Sequence, residues 1–163
     1  MSGGSGTRHA REANVTLAAV HREARNPTTA PTTADEACAL VAHVESLFMP
    51  WNVEALVDGF TADCQVRFGI LPEFRGRKAL RDFFLARSLR QRGYRLRKQF
   101  RALAGDTLTN TWEGAWEDAD TGSAMHGFGV EVWVLRGGKI ARWEAAFNVA
   151  PSARTASVAD LLR

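Results

Sequence analysis

The sequence has little of what marks secreted or membrane-spanning proteins. No apolar run approaches the roughly 20 residues that a helix needs to cross a bilayer. The opening residues, MSGGSG, lead into no apolar segment like that of a secretory signal. Only two cysteines occur, Cys38 and Cys64, in apolar segments far apart in the chain. We therefore expect two buried, reduced thiols, no disulfide, and a cytoplasmic protein.

The sequence also lacks the pattern of a metal site. Its four histidines and two cysteines are scattered along the chain, without the close pairs that supply zinc ligands. We therefore expect no metal ion and no other cofactor.

Charge of one sign is only mildly in excess. The formal net charge is +3, which is small for a protein that binds nucleic acid. Basic residues do gather between Asp82 and Asp106, where no acid occurs. Arg95, Arg97 and Arg101 alternate there as on one solvated face of a strand, without interleaved aromatic residues for base stacking. We therefore expect neither nucleic acid nor a membrane as a partner.

The chain divides into an arm, a domain and a tail. Residues 1–33 are rich in Gly, Ser, Thr and Pro, which is typical of a flexible arm, with room for a short helix from Val15 to Val20. Residues 34–150 have the apolar patterning of one folded domain, and 151–163 form a C-terminal tail.

Periodicity within the domain predicts helices first and strands afterwards. Apolar residues at helical spacing predict a first helix, capped by Thr33 or Asp35 and ended by Pro50. A third helix carries Leu80, Phe83, Phe84 and Arg87 on one face. Helices segregated from an antiparallel meander define an α+β domain. The further predicted elements are a helix over 53–60, a strand over 64–68, a loop over 69–76, a helix over 77–90, and strands over 94–103, 107–117, 125–135 and 140–149.

Several residues along these elements form a pattern that also occurs, in the same order, in a known protein superfamily. In order they are Trp51-Asn52, Arg67, Gly76-Arg77, the run from Tyr94 to Lys98, Trp116, the run from Glu131 to Trp133, and Asn148. Over roughly residues 35–150 the chain resembles the nuclear transport factor 2-like superfamily, and within it SnoaL-like proteins and a bacterial subgroup without a settled function. The resemblance implies a cone-shaped, strongly curved antiparallel sheet that encloses a pocket with about three helices. This fold hosts isomerases, epoxide hydrolases, dehydratases, polyketide cyclases and non-catalytic binders.

Alternation along the penultimate strand leaves two faces that are both apolar enough to be buried. The resemblance decides between them, because ketosteroid isomerase-like relatives carry an acidic pocket residue where Glu131 falls. We therefore expect Glu131 and Trp133 inside the cone, with Val130, Val132 and Val134 outside. An outer valine stripe needs a cover, which predicts a homodimer through the outer sheet face.

Two residues are the catalytic candidates. A carboxyl in an apolar cone can donate a hydrogen bond to an oxyanion when neutral or act as a base when ionised, and Glu131 is placed for either. Arg67 is expected to project into the interior and to orient Glu131 or bind substrate charge. The alternative is a buried Glu131–Arg67 pair that only closes the cone.

Aromatic walls with few polar groups are the usual composition of a small-molecule site. The tryptophans are either an aromatic box for a ligand or simply the core wall. His43, at the edge of the first helix's apolar face, is a weaker candidate than a histidine satisfied within the core. The expected substrate-binding residues are Trp51, Trp112, Trp133, Trp143, Phe84, Phe147, Asn110 and His43.

The sequence departs from the better-known relatives at three positions. Phe68 or Gly69 stands where ketosteroid isomerases carry an aspartate base, and Ala145 stands where limonene epoxide hydrolases carry a catalytic aspartate. Thr111 replaces an arginine of the bacterial subgroup. The sequence thus predicts a cofactor-free acid/base enzyme acting on a small hydrophobic or carbonyl-containing metabolite. A non-catalytic ligand-binding or dimeric interaction module is the alternative, and a nucleic-acid adaptor is the least favoured reading.

Overall fold

A computed structural model describes residues 29–152, so most of the expected arm and tail, including the helix proposed for 15–20, lie outside the described residues. The elements run in the predicted order of helices before a meander, with one additional short strand. They are α1 Ala34–Ser46, α2 Val53–Asp58, β1 Phe60–Phe68, β2 Phe74–Arg75, α3 Gly76–Arg90, β3 Gln91–Ala104, β4 Thr107–Asp118, β5 Ala124–Arg136 and β6 Lys139–Pro151. No helix within 29–152 is long and apolar enough to cross a bilayer.

Helix α1 begins as its capping residues predict. The Thr33 hydroxyl accepts the Glu36 backbone N–H, and the Glu36 carboxylate accepts the Thr33 N–H in return. The helix ends at Ser46, earlier than the expected stop at Pro50. Cys38 lies on its exposed side, so the expectation of two buried thiols is wrong for Cys38 and right for Cys64.

The sheet holds six strands in the order β2-β1-β6-β5-β4-β3, and it is curved with the helices on one side. The β3–β6 meander is antiparallel, while β1 joins β6 in parallel. The α+β fold with a curved sheet is therefore confirmed.

Two errors occur around β1, where the sequence predicts a shorter strand and then a loop. A register irregularity between Phe60 and Gln65 breaks the alternation of β1, so the pattern reveals only its second half. The segment expected as loop contains β2, whose Arg75 and Phe74 pair with Gln65 and Val66. Two residues are too few to give a periodic signal.

The face assignments along the long strands are confirmed. Glu131 and Trp133 are buried, whereas Val130 is 47% exposed on the other face. Pairing across three strands aligns Asn110, Glu131 and Ala145 in one row on the buried face. Polar side chains thus meet in the middle of an otherwise apolar interior.

Helix α1 covers the free edge of β3. The Glu45 carboxylate accepts the backbone N–H of Lys98, and the Met49 sulfur lies 3.1 Å from the N–H of Leu96. These contacts satisfy strand amides that no neighbouring strand can bond, because β3 is the last strand of the sheet. They also fix the position of the strand that carries Lys98.

Candidate functional site

A buried ion pair lies at the centre of the cone. Lys98 Nζ is 2.7 Å from Glu131 Oε2, and the two side chains are only 3% and 5% exposed. Trp133 Nε1 donates to the same oxygen at 2.9 Å. Lys98 Nζ also lies 3.4 Å from Asn110 Oδ1 and 5.3 Å from the centroid of the Trp133 ring. The two donors to the carboxylate therefore come from β3 and β5, and β4 contributes an acceptor for the lysine.

Both donors bind Oε2 of Glu131. Among residues 29–152 no hydrogen bond reaches Oε1, which leaves one carboxylate oxygen without a donor. A carboxylate whose charge is balanced through one oxygen can still accept a proton through the other. The arrangement is that of an ionised carboxylate held by a cation, which fits a base better than a neutral acid.

Burial changes the behaviour of Lys98. Removal of the ammonium from water lowers the pKa of Lys98, and the neighbouring Glu131 carboxylate partly opposes this effect. A lysine of this kind gives up its proton more readily than one on the surface. The pair therefore offers a proton acceptor and a proton donor side by side.

Arg67 does not take part in this site. Val66 and Phe68 are buried, so the residue between them faces outward, and Arg67 is exposed. The expectation that Arg67 projects into the interior and pairs with Glu131 is therefore wrong. Lys98 occupies that role, and the signal was present in the sequence: Lys98 shares its strand face with the apolar Leu96 rather than with the solvated arginines.

The space beside Glu131 is small. Its cavity has a volume of about 10 Å³, enough for about one water molecule. Within residues 29–152 the space beside Glu131 is therefore far smaller than the pocket implied by the resemblance, because aromatic rings crowd it. The cavity is lined by Val44, Phe48, Leu56, Phe60, Phe84, Lys98, Glu131, Trp133, Ile140 and Trp143.

The expected aromatic residues fall into two groups. Phe84, Trp133 and Trp143 line the cavity, and Phe84 stacks on Trp143 with ring centroids 5.9 Å apart. Trp112 and Phe147 are outside that lining and pack on each other at 5.9 Å.

The remaining three candidates are also placed. Trp51 is outside the cavity lining and stacks on Tyr94 at 5.4 Å, and Asn110 lies fully buried beside Lys98. His43 on α1 is outside the cavity lining, and burial lowers its pKa.

A second interior cation was not foreseen as a site residue. The guanidinium of Arg87, on α3, lies 5.0 Å from the Phe68 ring centroid and 5.5 Å from that of Trp51. The sequence did place Arg87 on the apolar face of its helix, beside Phe83 and Phe84. An arginine in that position was the available signal.

The donor set does not favour a metal. Within residues 29–152 no three His, Cys, Asp or Glu side chains gather in a way that could hold a metal ion. The residues around Glu131 offer an ammonium and indole N–H groups, which are donors and not metal ligands.

Similar solved structures share this fold. SalBIII, an epoxide hydrolase/cyclase-like enzyme in pyran ring formation in the polyether salinomycin, is 16% identical with a TM-score of 0.63, covering 72% of this chain and 96% of that one. A candidate polyketide cyclase from Xanthomonas campestris is 20% identical with a TM-score of 0.61, covering 70% and 91%. A ketosteroid isomerase-like protein from Catenulispora acidiphila, in complex with trimethylamine, is 17% identical with a TM-score of 0.60, covering 69% and 85%.

Sequence comparison identifies the family. No curated protein matches the chain. The family model described as the SnoaL-like domain matches residues 40–143, which include α2, α3, β1 to β5 and both members of the buried ion pair. The chain belongs to the SnoaL-like domain family.

Proposed function

We propose that this SnoaL-like protein binds a small carbonyl-containing metabolite inside the cone and transforms it by acid/base chemistry without a cofactor. The observation that carries the proposal is Glu131, buried in an apolar interior with Oε2 held by Lys98 and Trp133 and with no donor to Oε1 among residues 29–152. Isomerase, cyclase, dehydratase and hydrolase reactions all include a proton transfer that such a group performs.

The simplest step is the removal of a proton next to a carbonyl. Glu131 Oε1 takes the proton from the carbon, and the electron pair of the broken C–H bond moves to the carbonyl oxygen as an enolate. The Lys98 ammonium stabilises the negative charge that develops. Return of the same proton to a different carbon completes an isomerisation, with no atom gained or lost.

A ligand of several carbon atoms exceeds the space beside Glu131, which is about 10 Å³. Binding therefore requires the side chains of the wall to move. The interior is lined with separate rings from helices and sheet, so a shift of α3, which carries Phe84, against β6, which carries Trp143, would open it. Closure over the ligand would then exclude water from the reaction.

The test does not require the natural substrate to be known. In D₂O, the protein should catalyse exchange of α-hydrogens in at least one of a panel of cyclic ketones, followed by NMR. Glu131→Gln keeps the shape and the acceptor for Trp133 but removes the base, so the rate should fall by about 10²–10⁴-fold. Glu113→Gln, on the exposed side of β4, is the matched control and should keep the wild-type rate.

Retention of full exchange activity in Glu131→Gln would remove this residue from the mechanism. Absence of exchange with every ketone, together with thermal stabilisation by unchanged ligands, would favour the second candidate function, a non-catalytic binding module. One observation supports that candidate: Phe68 and Ala145, at the positions of the relatives' bases, are buried apolar residues here.

We also propose that the protein is a homodimer through the outer sheet face. Phe128 and Val130 are each 47% exposed and lie side by side on that face of β5. Burial of adjacent apolar side chains in an interface would stabilise the pair. The cytoplasmic location remains a prediction, as does the absence of a nucleic-acid partner.

A further inference from the structure

Arg87 sits in a cage of aromatic rings. Its guanidinium carbon lies 5.0 Å from the ring centroid of Phe68, 5.5 Å from Trp51, 5.6 Å from Phe83 and 5.8 Å from Tyr94. Its Nε donates to Gln91 Oε1 at 3.2 Å. Rings from α3, β1, β3 and the segment before α2 therefore surround the guanidinium, and the Tyr94 hydroxyl lies close enough to act on its charge.

Among residues 29–152 no carboxylate pairs with this cation. Within the described part of the chain, Arg87 forms no ion pair, and the acid that acts on it at a distance, Glu131, is already paired with Lys98. Burial lowers the pKa of Arg87, and Tyr94 and, to a smaller extent, Glu131 oppose that effect. Lys98 pairs with Glu131 and also lies near Glu45, whereas Arg87 has no ion-pair partner among residues 29–152.

The interior also has more hydrogen-bond donors than acceptors. The indole N–H groups of Trp51, Trp112 and Trp143 and the side-chain amide nitrogen of Asn110 are buried without an acceptor among residues 29–152. A buried donor without a partner costs free energy. Acceptor oxygens of a ligand would satisfy those of these groups that the ligand reaches.

We propose that Arg87 is an anion-binding residue that selects, as the ligand of the cone, a small organic acid through its carboxylate. A carboxylate matches the planar fork of a guanidinium, and its single charge equals that of Arg87. A phosphate carries more charge than this site can balance. The apolar remainder of the acid packs on the rings, with its reactive carbon toward Glu131.

This inference rests on the proposed function for its ligand cavity and adds the chemical class of the ligand. The Arg87 side chain lies outside the lining of the small cavity beside Glu131, and it can move to meet a ligand because it is long and held by rings rather than by an ion pair. Arrival of a carboxylate replaces the missing counter-ion without breaking the Lys98–Glu131 pair.

The experiment compares acids with their neutral amides. Wild-type protein is titrated with a series from cyclopropanecarboxylate to cyclohexanecarboxylate and with the matching carboxamides. Binding is followed by tryptophan fluorescence, because these probes do not absorb the light used. At least one carboxylate should bind about tenfold or more tightly than its amide, as a charge-assisted hydrogen bond predicts. Arg87→Gln should bring the two affinities together, while Arg67→Gln, an exposed control, should keep the preference.

Three results would overturn the inference: no carboxylate preferred over its amide in the wild type, a preference that survives Arg87→Gln, or a preference lost equally in Arg67→Gln. If Arg87→Gln does not fold, Arg87→Lys serves instead, and it should keep the preference for the carboxylate because the charge remains. The wild-type comparison needs no variant at all. If no carboxylate preference is found but ketone exchange is intact, the proposed function of Glu131 stands with a neutral substrate. If carboxylates bind through Arg87 but no ketone exchange occurs, the inference about Arg87 stands and the proposed catalysis by Glu131 does not.

Discussion

At the scale of single residues, Glu131 and Lys98 give up most of their hydration when they are buried together. Removal of each ion from water costs several kcal/mol, and only close pairing and further hydrogen bonds offset this cost. Trp133 and Asn110 supply such contacts at 2.9 Å and 3.4 Å. The pair is therefore better understood as a functional group than as a source of stability.

Removal of one member of the pair should be costly. Lys98→Met leaves the Glu131 carboxylate buried without a cation, and we expect a loss of about 3–5 kcal/mol in the free energy of unfolding measured with urea. Lys78→Met, at a lysine side chain that is 90% exposed, should change it by less than about 1 kcal/mol.

The double variant Lys98→Met with Glu131→Gln removes both charges, so it should recover much of the loss seen in Lys98→Met alone. Equal destabilisation in the single and double variants would mean that packing, and not the unpaired charge, sets the cost.

The sequence predicted the buried carboxylate but not its cation. Alternation in β5, with the resemblance, places Glu131 inward, and this holds. The prediction that Arg67 is its partner follows the resemblance, although alternation with Val66 and Phe68 places Arg67 on the outward face. Lys98 is missed because the basic run around it predicts a solvated segment, although every second side chain of a strand points to the core.

At the scale of the elements, close contact between β4, β5 and β6 depends on a glycine. A Cβ on Gly129 would lie 2.6 Å from Trp112 Nε1, 2.7 Å from Phe147 Cβ and 2.8 Å from the Ala146 carbonyl oxygen. Two of these atoms belong to the backbone or lie next to it, so they cannot move away cheaply. The absence of a side chain lets the Trp112 ring cross the face of β5.

Gly129→Ala should therefore destabilise the fold by about 1–3 kcal/mol through overpacking, measured by urea unfolding. The matched control is Gly127→Ala on the same face of β5, where the nearest atoms are side-chain atoms of Trp112 and Val149 at 3.1 Å. A smaller loss is expected there. A larger loss in Gly127→Ala than in Gly129→Ala would contradict this description of the packing.

The long elements were predictable because each repeats a helical or alternating pattern of apolar residues over about ten residues or more. β2 could not be predicted, since its two residues gain their strand conformation only by pairing with β1. The first half of β1 was missed for a related reason, because its irregular register follows the parallel pairing with β6.

At the scale of the whole molecule, the outer sheet face gives the next prediction. The wild-type protein should run as a dimer in light scattering, and Val130→Asp should shift it toward monomer because a carboxylate in an apolar interface is strongly unfavourable. Leu89→Asp, on α3 with Leu89 77% exposed, should leave the dimer intact. A monomeric wild type, or a dimer broken by Leu89→Asp instead, would contradict the outer-face interface.

The filled cone is the whole-molecule feature that the sequence could not show. Patterns place Trp133, Trp143 and Phe84 on inward faces, but how fully their rings fill the space depends on sheet curvature and ring orientation. The cavity that results is about 10 Å³, although the resemblance implied a pocket.

The most direct test of the buried pair is an NMR titration of the lysines. Lys78, Lys98 and Lys139 are the lysines of the chain, so ¹³Cε labelling gives a simple spectrum. The pKa of Lys98 should lie below the ordinary lysine range because of burial, and Glu131→Gln should lower it further because the opposing carboxylate is gone. Titration of Lys98 together with Lys78 and Lys139, unchanged by Glu131→Gln, would contradict the buried pair.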